Sequence, residues 1–171
     1  MSELIIERLS APVLRELAQP IMQCDGELRD LVALMFETMY AAQGQGLAAP
    51  QVGISRRVAV INVPPRGTRI VLVNPRITAV SRASSRSVEG CLSIPGVWDV
   101  VERPADVEVV ALDAAGTSHT YRVRDELARC FQHEIDHLNG VLYIDRLSPL
   151  ARQLALGRYR KLTRAAAHAG R

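Results

Sequence analysis

His133-Glu-Ile-Asp-His137 is the segment of this chain with the plainest chemical meaning. On a helix, residues four apart lie on one face, so two imidazoles at this spacing can bind one metal ion. The intervening Glu134 can then reach a water at that ion and move its protons. A catalytic metal ordinarily takes three protein ligands and keeps one position open. One zinc-protease pattern continues H-E-x-x-H-x-x-G-x-x-H. This chain matches it through Gly140 and then fails, because Tyr143 stands in the place of the third His. The Met-turn of that class is also excluded, since every Met lies at or before Met39. A downstream Glu is missing as well, because Asp145 is the only acid after His137. The third ligand is therefore expected upstream.

Upstream, the thiols are candidates. Cys91 lies in Glu89-Gly-Cys-Leu-Ser93, where Gly90 lets the backbone approach a ligand closely. A thiolate is a good ligand for divalent iron or zinc. Cys130 is the rival. It sits one turn before His133 on the same helix, a placement that makes an open three-ligand set harder to form, so it reads as a buried core thiol. Cys24 has no partner motif. Glu89 is a candidate to fix the strand that carries Cys91. Gly44-Gln-Gly-Leu-Ala-Ala-Pro-Gln51, followed by Val52-Gly53, reads by itself as a Gly-rich turn. It is not a P-loop, since no Lys-Ser/Thr pair follows.

The elements that must position these residues can be read from periodicity. Leu28, Leu31, Val32, Met35 and Met39 recur at spacings of three and four, which predicts a helix over about 26–42 with Asp25 as its cap. The stretches 57–63 and 68–74 are rich in Val and Ile and broken by Pro64, Pro65 and Gly67, which predicts strands. The stretches 107–112 and 117–123 flank the polar turn Asp113-Ala-Ala-Gly116, which predicts a hairpin. A second helix is expected over about 126–139, with Asp125 as its cap and Gly140 as its stop. A third begins near Ser148-Pro149 and runs into the basic tail, to about residue 167. The fold class is α+β: antiparallel sheets packed around a central helix carrying HExxH, with an N-terminal helix and a C-terminal helix. Residues 1–171 form one domain.

Composition sets outer bounds. The hydrophobic fraction is 48% and the charged fraction 23%, ordinary globular values that need no disulfide support. Three cysteines do not make a disulfide framework, and a reducing cytoplasm fits them. No secretory core and no membrane span are expected. The net charge of +3 is too small to imply DNA or RNA binding by the whole molecule. After Asp145, however, the charges are all basic, including Arg158, Arg160, Lys161 and Arg164.

Taken together, Gly44–Gln51, Glu89–Ser93 and Gln132–His137 resemble, in this order and spacing, the three signature motifs of peptide deformylases. The first-helix segment Met35-Phe-Glu-Thr-Met-Tyr40 and the segment Tyr143–Leu150 extend the resemblance over nearly the whole chain. It implies removal of the formyl group from the N-terminal formylmethionine of newly made proteins, in the cytoplasm. It implies that Cys91, His133 and His137 hold one divalent metal ion, Fe(II) in the cell, with zinc, nickel or cobalt as alternatives in purified protein. Glu134 would act as general base and then general acid. Gln51 and the Leu92 backbone N–H would stabilise the oxyanion, and the Gly44, Gln45 and Gly46 backbone and Gly90 would line the substrate. N-formylmethionyl nascent peptides are the expected partners. The basic C-terminal helix would face ribosomal RNA, with no membrane and no DNA partner. Two positions depart from the pattern: Trp98, where many members have Arg, and Glu126, where Leu is common.

Overall fold

The computed structural model describes residues 4–64 and 67–169. Its first long element, α1 (Gly26–Ala41), begins where the Asp25 carboxylate accepts from the Leu28 N–H at 3.0 Å. That bond satisfies one of the donors a helix start leaves unpaired. The expected stripe of Leu28, Leu31, Val32, Met35 and Met39 is buried, packed with Leu47, Val58, Val60 and Val73.

Among the described residues seven strands follow. They are β1 (Gly46–Ala48), β2 (Val58–Ile61), β3 (Ile70–Val80), β4 (Ser84–Cys91), β5 (Ile94–Pro104), β6 (Asp106–Leu112) and β7 (Ser118–Arg124). Five of them form one antiparallel sheet in the order β1-β2-β3-β6-β7. Among the described residues β4 and β5 pair only with each other, as a separate two-stranded ribbon. The β6–β7 hairpin forms around the predicted turn, and the Asp113 carboxylate accepts from the Ala115 and Thr117 N–H groups.

α2 (Asp125–Leu138) lies between sheet and ribbon. Its Ala128, Cys130, Phe131 and Ile135 pack on Ile61, Leu72, Val107 and Val109 of the sheet. Its polar residues Arg129, His133 and Asp136 instead bond the ribbon. α3 (Pro149–Ala169) packs against the same inward face of the ribbon, where Ala155 joins Ile94, Val97 and Val101 in a third core with Leu14 and Tyr143. Among the described residues no helix is long and apolar enough to cross a membrane.

Two local expectations need correction. Asp125 does not cap α2. It is the helix's first residue, at φ +56°, and the capping position falls to Arg124, which makes no side-chain cap bond. The chain turns sharply out of β7 there, with the Asp125 N–H donating to the Ala105 carbonyl, and a short polar residue tolerates the left-handed conformation. Nor does the second strand stop at Asn74. β3 runs on to Val80 through an irregularity at Asn74-Pro75, where the pairing with β6 shifts register. Asn74, at φ +50°, bonds the Ile21 backbone in both directions, which holds the bulge. By contrast, Gly140 does end α2 in the left-handed conformation, at φ +71°.

Candidate metal centre

α2 and the ribbon meet at one point. Cys91 ends β4, and its Sγ lies 3.3 Å from His137 Nε2. His137 Nε2 lies 3.2 Å from His133 Nε2. The three donor atoms all fall within 4.8 Å of one another. Four-coordinate ligands about 2.0–2.3 Å from an ion stand about 3.3–3.7 Å apart, so these atoms are spaced as the corners of one coordination site. His133 Nδ1 lies 3.1 Å from Glu89 Oε2. A ring N–H donated to that carboxylate leaves the Nε2 lone pair facing the cluster. The residues therefore fit a divalent metal on the chemistry of the donor set. Cys130 is outside the cluster, buried, with Sγ 3.7 Å from the Gln45 carbonyl oxygen. Burial pushes its thiol well up, which suits a core thiol and not a ligand. Cys24 is not in the cluster either.

Glu134 follows His133 and turns toward β1. Its Oε2 is buried and has no partner among the described residues. Burial pushes its carboxyl up to about 7, so it can both take and return a proton near neutral pH. The backbone beside it is bare for a reason: a Cβ on Gly46 would stand 2.7 Å from Glu134 Cδ. Gln51 is oriented from behind. Its Oε1 accepts from the Ala48 N–H at 2.9 Å, so its amide N–H₂ must face Cys91 Sγ at 3.5 Å and Ser93 Oγ at 3.4 Å. Leu92 follows Cys91 on the wall of the same cleft, and Arg8 holds its carbonyl at 3.1 Å. The cleft has a volume of about 630 Å³. Gly44, Gln45 and Gly46 line one wall, Gly90, Cys91 and Leu92 the other, with His133 and Glu134 also lining it.

Behind the cluster lies a buried ionic network that sequence reasoning found only in part. Glu89 was expected as a support, and it accepts from Arg103 at 2.6 and 2.9 Å and from Arg129 at 2.7 Å. Arg103 also reaches Asp136, and Arg146 grips the same carboxylate at 2.6 and 3.1 Å. Burial alone would raise the Glu89 carboxyl. The hydrogen bonds from Arg103 and His133 reverse that and hold it well below the usual range. Arg103, Arg129, Asp136 and Arg146 gave no signal in sequence beyond Asp136 falling within the His-Glu motif. Tyr143, the residue in place of a third His, stacks parallel to His133 with ring centroids 6.3 Å apart. Its hydroxyl donates to the Val97 carbonyl, so it ties the helix side of the site to the ribbon. Of the departing positions, Trp98 and Glu126 are both exposed and both line the cleft.

The family model for polypeptide deformylase matches residues 4–153. The chain belongs to the polypeptide deformylase family. Members of this family are metal-dependent and remove the N-formyl group from nascent peptides. The chain is 46% identical over 153 residues to the peptide deformylase of Cellvibrio japonicus, covering 89% of this chain and 90% of that one. It is 46% identical over 160 residues to the peptide deformylase of Agrobacterium fabrum, covering 92% and 94%. Among solved structures, a peptide deformylase from Legionella pneumophila superposes with a TM-score of 0.91 at 42% identity, covering 97% of this chain and 98% of that one. The deformylase from Synechococcus elongatus, solved with actinonin, superposes at 0.87 with 43% identity, covering 91% and 86%. These deformylase structures share the antiparallel sheets and helices described above.

Proposed function

We propose that this chain hydrolyses the N-terminal formamide of formylmethionyl peptides in the cytoplasm, releasing formate, with Cys91, His133 and His137 holding one divalent ion. The observation that carries the reading is the convergence of those three donor atoms within 4.8 Å beside the buried Glu134, whose Oε2 has no partner among the described residues. A divalent ion there supplies Lewis acidity, which polarises the formyl carbonyl and makes water a nucleophile near neutral pH. Fe(II) suits a mixed thiolate and imidazole set, and zinc, nickel and cobalt are accepted by the same donors.

The chain's own residues supply the rest. Glu134 takes the proton of the attacking water and then delivers it to the leaving amine, so that the C–N bond breaks with the nitrogen neutral. The Gln51 amide, turned toward the site by its bond to Ala48, and the Leu92 backbone N–H take up the charge that grows on the formyl oxygen. The backbone of Gly44, Gln45 and Gly46 pairs with the peptide as an added strand, and Gly90 keeps the opposite wall low. The exposed Arg160, Lys161 and Arg164 of α3 have no ion pair among the described residues and face ribosomal RNA phosphates. Arg158 was expected to join them, but it is held by Asp99 at 2.6 Å.

The test is formate release from a formyl-Met peptide by protein reconstituted with Fe(II) without oxygen. Release of formate with internal peptide bonds intact is expected. Cleavage of an internal bond instead would overturn the reading in favour of a protease.

A further inference from the structure

Residues 4–8 form neither helix nor strand, yet both ends of this segment are anchored. The Leu4 N–H donates to the Thr38 hydroxyl of α1 at 3.1 Å, and the Leu4 side chain packs against the core of α1 and the sheet. Leu9 packs against the core that contains Ile94 and Val97 of the ribbon. Between these anchors the Glu7 N–H donates to the Gln51 carbonyl at 2.8 Å, and the Arg8 guanidinium donates to the Leu92 carbonyl at 3.1 Å. Two adjacent residues thus hold the main chain of both groups assigned to the oxyanion.

Those two groups belong to different units. Gln51 lies in the short turn Ala49–Val52 that follows β1, and Leu92 in the two-residue turn between β4 and β5. The direct contact from the Gln51 amide to Ser93 Oγ is 3.4 Å, long for a hydrogen bond. A two-stranded ribbon is marginally stable by itself, so its tip needs support from outside. Leu92 receives it on two sides. Its side chain packs against the core of α1 and the sheet, where a Cβ on Gly44 would stand 2.8 Å from its Cδ1. Its carbonyl is held by Arg8.

We infer that Arg8 is a positioning residue for the reaction: together with the Glu7 N–H it sets the gap between the Gln51 amide and the Leu92 N–H, so that both meet the oxygen on which charge grows. The inference rests on the proposed deformylase reading. Donors of this kind act because they are fixed before charge develops, and a donor free to drift loses much of its worth.

The test uses metal-loaded protein and a formyl-Met peptide. Arg8→Met should retain its ion and lower kcat by about tenfold, part of the roughly 10²–10³ that outright loss of one donor costs, with KM nearly unchanged. Ile5→Ala, on the same segment but 82% exposed, should match the unaltered enzyme. Gln51→Ala breaks the donor pair by itself, so adding Arg8→Met to it should cost little more, a coupling that a general loss of structure would not produce. Unchanged kcat in Arg8→Met would overturn the inference. So would a rise in KM alone, which would make Arg8 a peptide contact, or a loss of kcat that tracks loss of the ion. The full tenfold loss repeated in the Gln51→Ala background would place Arg8 outside the donor pair and overturn it as well. Each of these leaves the deformylase reading intact, whereas no formate from the unaltered enzyme would overturn both.

Discussion

Burial holds the Glu134 carboxyl at about 7, and a cation alongside would draw it down, so the acid limb of kcat/KM should fall at or below that pH. The sign follows from the role: a base must be ionised, so activity rises with pH through this value. Glu134→Gln should keep the metal and lower turnover by about 10²–10⁴ or more, with the acid limb gone from any residual rate. Near-normal turnover in a metal-loaded variant would remove Glu134 from the mechanism. Gly46 is a sharper test of position. An added methyl there would stand 2.7 Å from Glu134 Cδ and force the carboxylate aside. Gly46→Ala should therefore retain its ion while losing about 10² in kcat, since a displacement of about 1 Å in a reacting group has that cost. Metal analysis beside steady-state kinetics separates this from a folding defect.

At the scale of elements, the ribbon is fastened to α2 by charge as well as by packing. Glu89 joins Arg103, Arg129 and His133, and Asp136 joins Arg103 and Arg146, with Glu89, Arg103 and Arg129 nearly inaccessible. Removing one member leaves the others buried without compensation, so Glu89→Gln should cost about 3–5 kcal/mol at neutral pH. The Glu89 carboxyl is depressed in the fold. Its contribution is therefore complete above the unfolded value of about 4.3 and is lost as pH falls toward the lower folded value. Melting temperature should fall through that acid window in the unaltered protein and fall less in Glu89→Gln; parallel curves would show that Glu89 is not the group titrating. This network also marks where sequence reading ran out. α2 was legible because His133, Glu134 and His137 share a helical spacing, and α1 because its apolar stripe is unbroken. The ribbon was not, because Ser84–Cys91 is mostly polar or small and Pro95 and Gly96 interrupt the next stretch. Its inward face is a set of ion pairs between residues 14 to 40 positions apart, and no local period encodes them. The three-residue β1 was too short to read as a strand, although Gly46 and the preceding Gly44 stood out.

For the molecule as a whole, the modest net charge of +3 hides an uneven distribution. Arg152 and Arg158 are spent on Asp145 and Asp99, which dock α3 onto the body. Arg160, Lys161 and Arg164 remain exposed beside Gly157. If these three meet RNA phosphates, the logarithm of ribosome affinity should fall with the logarithm of salt at a slope of about −2 to −3. Reversing all three to Glu should abolish co-sedimentation with ribosomes at low salt and leave turnover of a short formyl-Met peptide within about twofold, since surface changes of this kind rarely disturb a fold. Undiminished co-sedimentation would make this end of α3 an ordinary solvated helix.

The separateness of the ribbon has a consequence for how the protein comes apart. Among the described residues β4 and β5 share no strand pairing with the main sheet. The donors Cys91 and His137 are 46 positions apart, one on the ribbon and one on α2. An ion held between them is a cross-link between two units that could otherwise open at different free energies. Amide exchange should register this as a local effect. Loading the ion should slow exchange along Ser84–Cys91 and Ile94–Pro104 by far more than along β3 and β6. Uniform slowing across both would mean that ribbon and sheet open as one cooperative body.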